Sequence, residues 1–218
     1  MKLFFSRFSL LSFFWQKFLL MLGIAIFFVV TYSLLGKFYW GKAQPLPYTC
    51  VDMALPFMEW TFWIYISDYL FLALAGFLMP DYKHLFRFCK AFFITVFFHF
   101  GIFFVCPTYT CRAEILGNDI SSHLGRIVYS LDEITNCFPS LHVSLTFLAA
   151  FVVVKSYRSL FVPSFLWSIA IAISTMTTRQ HYFYDVLSGA IVAIVVFTLC
   201  YGKFFFKNDT VSQSGVSL

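Results

Sequence analysis

An all-α bundle of six membrane-spanning helices is the fold this sequence predicts, and three observations predict it. Of 218 residues, 61% are hydrophobic, 22% aromatic and only 11% charged, and the mean hydropathy is +0.83; soluble domains are about half apolar and about a quarter charged. The apolar residues gather into six runs, most of them near the roughly 20 residues that cross a hydrocarbon core. Lys and Arg concentrate between alternate runs, as they do where short basic loops stay in the cytoplasm.

The runs fall at about 18–36, 60–79, 91–107, 140–155, 160–177 and 185–202. The first follows Lys2, Arg7 and Lys17 and lacks a small-x-small cleavage site after it, so it reads as a retained helix rather than a signal peptide. The second and third are separated by Lys83, Arg87 and Lys90. The fourth is short, which suits a tilted or partly buried helix; the fifth and sixth flank a polar stretch at 178–184. Phe dominates the apolar positions, as lipid contact and packing require. No low-complexity stretch, inverted repeat or separate soluble domain is visible, so residues 1–218 read as one membrane domain.

With the amino terminus inside, the cytoplasmic segments hold ten of the fifteen cations: Lys2, Arg7, Lys17, Lys83, Arg87, Lys90, Lys155, Arg158, Lys203 and Lys207. Lys37, Lys42, Arg112, Arg126 and Arg179 remain outside. The net charge of +5 therefore reflects topology, and no basic, aromatic-interleaved surface points to nucleic acid. A bacterial cytoplasmic membrane is the expected setting.

This topology sends two polar clusters to the outer face: Asn136-Cys137-Phe138-Pro139-Ser140-Leu141-His142 and Arg179-Gln180-His181-Tyr182-Phe183-Tyr184-Asp185. Ionisable groups are costly in or beside a bilayer, so these are the candidates for chemistry. His181 and Asp185 stand at i and i+4, where a carboxylate accepts from one imidazole nitrogen and leaves the other as nucleophile or base. Pro139 before Ser140 suits a helix start, whose free N–H groups and Ser hydroxyl make an anion site. His142 is placed to give a proton to a departing oxygen. Arg112, Arg179 and, less favourably, Arg126 offer guanidinium groups for phosphate oxygens. Together these roles describe phosphoryl transfer.

The segments F-P-S-L-H and Q-H-Y-F-Y-D resemble the second and third signature motifs of the type 2 phosphatidic acid phosphatase (PAP2) superfamily. Leu141 resembles its inositolphosphorylceramide-synthase-like branch. The resemblance covers a core of about 45–202 and implies a six-helix bundle with an extracytoplasmic site, no metal and no cofactor. It implies that His181 attacks phosphorus to form a phosphohistidine, Asp185 orients it, His142 protonates the leaving group and Ser140 binds phosphate. The substrate implied is a lipid phosphomonoester or pyrophosphate drawn from the bilayer. Two family cations are missing. Arg112 is followed by Ala113, with Val105 where a Lys is expected. Thr175 stands where an Arg is expected, and Arg179 lies one turn further on if the fifth helix continues that far. Arg179 and Arg112 are thus the expected phosphate-binding cations.

Alternatives follow from the same residues. A transferase of this fold would pass the phosphoryl or head group to an alcohol instead of water. A metalloenzyme would use His142, His181, Asp185 and Cys137, although no zinc-like spacing is present. A transporter would carry its polar groups nearer the midplane. Which lipid is used and the oligomeric state are not encoded legibly. His99 reads as a packed histidine, and His84 and His123 as solvated. Among the six cysteines, Cys106 with Cys111 or Cys50 with Cys137 are possible pairs, but isolated thiols are the plainer reading.

Overall fold

A computed structural model describes residues 12–39, 43–132 and 134–202. Eight helices and two short strands follow in order: α1 (Phe13–Tyr39), β1 (Gln44–Pro45), α2 (Cys50–Ala54), α3 (Phe62–Phe77), α4 (Tyr82–Val105), β2 (Thr108–Tyr109), α5 (Ile120–Leu131), α6 (Leu141–Ser156), α7 (Phe161–Thr177) and α8 (Phe183–Tyr201). Short 3-10 turns, Glu59–Thr61 and Arg158–Leu160, lead into α3 and α7. Among the described residues five helical segments are long and apolar enough to cross a membrane: α1, α4 and α8, and α3 and α7 with the 3-10 turns that precede them. The protein is therefore a multi-pass, all-α membrane protein.

The short helix α6 is the centre of the bundle. Eleven of its sixteen residues are buried, and it packs against α3, α4, α7 and α8. A helix surrounded by protein need not match the thickness of the hydrocarbon core, which is why sixteen residues suffice. Small side chains let its neighbours close in, and polar ones tie them. Ser168 on α7 donates to the Thr146 carbonyl at 3.1 Å, and Ser144 lies 2.9 Å from Nε2 of His99 on α4. His99 is fully buried, with its Nδ1 2.7 Å from the Thr95 carbonyl, so both ring nitrogens are occupied as packing predicts.

The third run begins earlier than 91. Asp81 caps α4 by accepting from the His84 backbone at 2.9 Å, so Lys83, Arg87 and Lys90 lie within the helix rather than in a loop before it. Lys17 lies at the same end of the bundle: its ammonium donates to the Phe77 and Met79 carbonyls at 2.7 and 2.6 Å, closing the end of α3. The start of α1 and the α3–α4 turn are thus neighbours, as an alternating topology demands. Lys2, Arg7, Lys42, Lys203 and Lys207 lie outside the described residues.

The opposite end carries β1 paired in parallel with β2, and the helices α2 and α5, which lie between the apolar runs, α2 between the first and second and α5 between the third and fourth. Asp119 caps α5 through the Ser122 backbone at 2.9 Å, and Glu59 accepts from the Ser122 hydroxyl. These pieces form a roof over the starts of α3, α6 and α8.

Candidate active site

Each of the two clusters is held by backbone bonds before any chemistry begins. The α6 N-terminus is anchored to α8 by the Ser140 N–H, which donates to the Asp185 carbonyl at 3.0 Å. The contact is close because residue 189 is Gly: a Cβ there would stand 2.5 Å from the Ser140 carbonyl oxygen. Ser140 itself is fully buried and its Oγ accepts from the Val143 N–H at 3.4 Å, capping α6. At the second cluster α7 ends at Thr177, and the Thr175 carbonyl accepts from both the Gln180 and His181 N–H groups at 3.0 Å. Position 175 supplies no charge, yet its backbone fixes the catalytic candidate.

His181 is 4% exposed, and its Nδ1 lies 3.2 Å from Oδ2 of Asp185. The same carboxylate oxygen accepts from the Tyr182 N–H at 2.9 Å. Nε2 of His181 makes no hydrogen bond among the described residues, so the pair has the geometry of an oriented imidazole with one nitrogen free. The His142 ring comes to 5.8 Å from the His181 ring, centroid to centroid. The structure therefore brings His142, His181, Asp185 and the Ser140 end of α6 together at one end of the bundle.

The two arginines are placed differently from the sequence expectation. Arg179 lies beyond the end of α7 in a left-handed conformation, φ 55°, so it is not one helical turn from Thr175. Its Nη1 donates to the Asp52 carbonyl at 2.9 Å and its Nη2 to the Leu55 carbonyl at 2.7 Å. It thereby satisfies the end of α2 and ties it to the His181 loop. Asp52 completes the clamp, since its Oδ1 accepts from the Phe183 N–H at 2.9 Å at the start of α8. Arg112 donates to Gln180 Oε1 at 3.0 Å, to the Tyr129 carbonyl at 2.7 Å and to the Asp132 carbonyl at 3.0 Å, and stacks on the Tyr129 ring at 4.6 Å. Arg126, on α5, donates to the Gly117 carbonyl at 2.8 Å in the segment just before that helix.

Sequence reasoning missed Tyr65, Asp68 and Asp132 beside His142 and gave Gln180, named in the second cluster, no role; Tyr65, Asp132 and Gln180 join His142 to Arg112. Nε2 of His142 lies 2.9 Å from the Tyr65 hydroxyl and 3.6 Å from Asp68 Oδ2. The signal was available: Asp68 is the single charged residue of the run at 60–79, and an ionisable group in a spanning helix marks function by default. An apolar cavity between α1, α3, α4 and α6 ends at Asp68, Tyr69 and His142 and is walled by Phe28, Leu72 and Phe92.

All six cysteines are free thiols. Cys137 is buried beside the site, and burial, reinforced by the nearby Asp185 carboxylate, pushes its thiol up to about 12. Among the described residues no group of three or more His, Cys, Asp or Glu is placed to hold a metal ion.

No curated protein and no solved structure matches the chain. The match that exists is to a family rather than to any single protein: the PAP2 superfamily pattern runs across residues 14–209, nearly the whole bundle and both clusters, and the chain belongs to that superfamily.

Proposed function

We propose that this protein hydrolyses a lipid phosphomonoester or pyrophosphate at the extracytoplasmic face of the membrane, through a phosphohistidine on His181. The observation that carries the reading is the His181–Asp185 pair, with Nδ1 committed to the carboxylate, Nε2 free and His142 beside it. Family membership supports an enzyme of the phosphatase or phosphotransferase kind.

In the first step Nε2 of His181 attacks phosphorus while the bond to the lipid oxygen breaks, and His142 gives that oxygen a proton. Asp185 holds the ring and stabilises the charge that His181 acquires. In the second step His142 takes a proton from water as water attacks the phosphohistidine, releasing phosphate and restoring both histidines. The phosphoryl oxygens bind at the α6 N-terminus, where Ser140 and the first-turn N–H groups converge. Arg112 and Arg179 contribute positive field from the surrounding loops, and the lipid chain lies in the apolar cavity that ends at His142. Orientation rests on loop charge, with ten of fifteen cations on the inner side of the alternating topology.

Purified protein supplied with a panel of lipid phosphates should release phosphate, and His181→Ala should abolish release. Rapid quenching at high pH should trap labelled phosphate on wild type but not on His181→Ala. Full activity of His181→Ala would remove the nucleophile from this scheme. Activity lost to chelators and restored by zinc would favour the metalloenzyme.

A further inference from the structure

More carboxylate surrounds His142 than the scheme above uses. Tyr65, 1% exposed, donates its hydroxyl proton to Asp132 Oδ2 at 2.6 Å, and Gln180 donates to the same oxygen at 3.1 Å. A hydroxyl has one proton to give, so the Tyr65 oxygen is left to accept from Nε2–H of His142 at 2.9 Å. That assigns Nε2 as a donor and leaves Nδ1 as the working nitrogen. Asp68 lies on the same side of the ring, 3.6 Å from Nε2 and 2% exposed, and its Oδ1 has no hydrogen-bond partner among the described residues. A buried carboxylate oxygen left without a partner is destabilising, so the scaffold carries Asp68 at a cost that its neighbour must explain. The other titratable groups facing His142 are Tyr69 on α3, with ring centroids 6.3 Å apart, and His181 ahead of α8. Tyr32 on α1 and Cys89 on α4 line the same cavity.

We propose that Asp68, together with the Tyr65–Asp132 pair, positions His142 and stabilises its imidazolium, forming a second carboxylate–imidazole unit that faces His181–Asp185. The inference rests on His142 being the acid of the proposed reaction. As the His181–phosphorus bond forms and the ester bond breaks, the electron pair leaves on the lipid oxygen and the Nδ1 proton of His142 joins it. Nδ1 then recovers a proton from the attacking water. Asp68, Tyr65 and Asp132 touch neither substrate nor phosphorus in this account; they act through His142. Both arginines spend their guanidinium donors on protein oxygens, so an imidazolium held by these groups would add a positive charge beside His181.

The test is steady-state kinetics of the full chain on two lipids, a phosphomonoester, whose alkoxide leaves poorly, and a pyrophosphate, whose phosphate leaves readily. Asp68→Asn should lower kcat on the monoester by about tenfold or more, with KM nearly unchanged and the pyrophosphate rate down by less than about threefold. A carboxylate beside an imidazole favours the protonated ring, so its removal lowers the pH at which His142 loses its proton. The falling, high-pH limb of kcat should therefore move to lower pH. Tyr65→Phe should shift the limb in the same direction, and it serves if Asp68→Asn fails to fold. Equal losses on both lipids with the limb unmoved would mean that Asp68 is merely structural, and unchanged kinetics in both variants would also overturn the proposal. If instead wild type releases no phosphate, or His142→Ala is as active as wild type, the reading of the site falls and takes this inference with it.

Discussion

Arg179 donates both terminal nitrogens to backbone carbonyls, at 2.9 and 2.7 Å, and those two bonds hold α2 against the loop that carries His181. A guanidinium used in this way is a clamp, and hydrogen bonds from a charged donor contribute about 1.5–3 kcal/mol each. Arg179→Ala should therefore lower thermal stability together with activity, and Arg179→Lys should recover little, because a single ammonium cannot span two carbonyls as the planar fork does. Loss of activity by orders of magnitude with an unchanged melting temperature would instead make Arg179 a phosphate ligand. Cys137 allows a second check at this scale. Its thiol is pushed up to about 12, whereas an unfolded cysteine ionises near pH 8.5. The buried thiol contributes no pH-dependent loss of stability below that lower value, and stability declines as pH rises from about 8.5 towards 12. In folded protein at pH 8, a maleimide should label the exposed Cys50, Cys106 and Cys111 and spare Cys137; rapid labelling of Cys137 would contradict its burial.

Between α6 and α8 the decisive position is Gly189, one turn past Asp185. A methyl group there would lie 2.5 Å from the Ser140 carbonyl oxygen and 3.2 Å from Val143 Cβ, and backbone cannot yield as a flexible side chain does. Gly189→Ala should push α8 off the α6 N-terminus, at the usual overpacking cost of about 1–3 kcal/mol, and separate His181 from His142. Thermal unfolding and phosphate release should fall together, and a variant with unaltered stability would show that the helices part easily. The same elements show what a sequence can disclose. Apolar runs locate the five helices long enough to span, because hydrocarbon thickness sets their length, and also the shorter buried α6; the i, i+4 spacing locates His181 and Asp185 because the pair brackets the start of α8. Helix starts hidden under charge were illegible: α4 begins at Tyr82 because Asp81 caps it, although Lys83, Arg87 and Lys90 read as loop. Arg179 would lie one turn from Thr175 only if the fifth helix ran past 177; α7 ends at Thr177, where the apolar run ends, so that condition is not met. Asp132 was missed because its meaning lies in His142, 10 positions away in the chain, whereas Asp68 carried a local signal as the single charge of its apolar run but its partner His142 lies 74 positions on.

Across the whole molecule, the alternating helices gather every candidate catalytic group at the end opposite Lys17, Lys83 and the α3–α4 turn. If that cation-rich end is cytoplasmic, a Cys placed at 112 should react with an impermeant reagent in intact cells and one placed at 83 should not; the reverse pattern would invert the protein and put its substrate in the inner leaflet. The same end bears on what would attack the proposed phosphohistidine. Water and an alcohol would meet the same His181, so the choice depends on the space above it. Among the described residues that space is roofed by β1, β2, α2 and α5, which are short and tied down by Asp52, Glu59, Arg112 and Arg179. A roof so fully bonded to its own backbone offers few free donors for a polyhydroxylated acceptor, which supports water as the acceptor in the proposed reaction. Phosphate release should accordingly run at full rate without any added alcohol, and inositol or a second lipid should change it little. Negligible turnover until an acceptor is supplied, with the phosphoryl or head group recovered on that acceptor, would make the protein a transferase of the same superfamily, as the Leu141 variant of its second motif suggests.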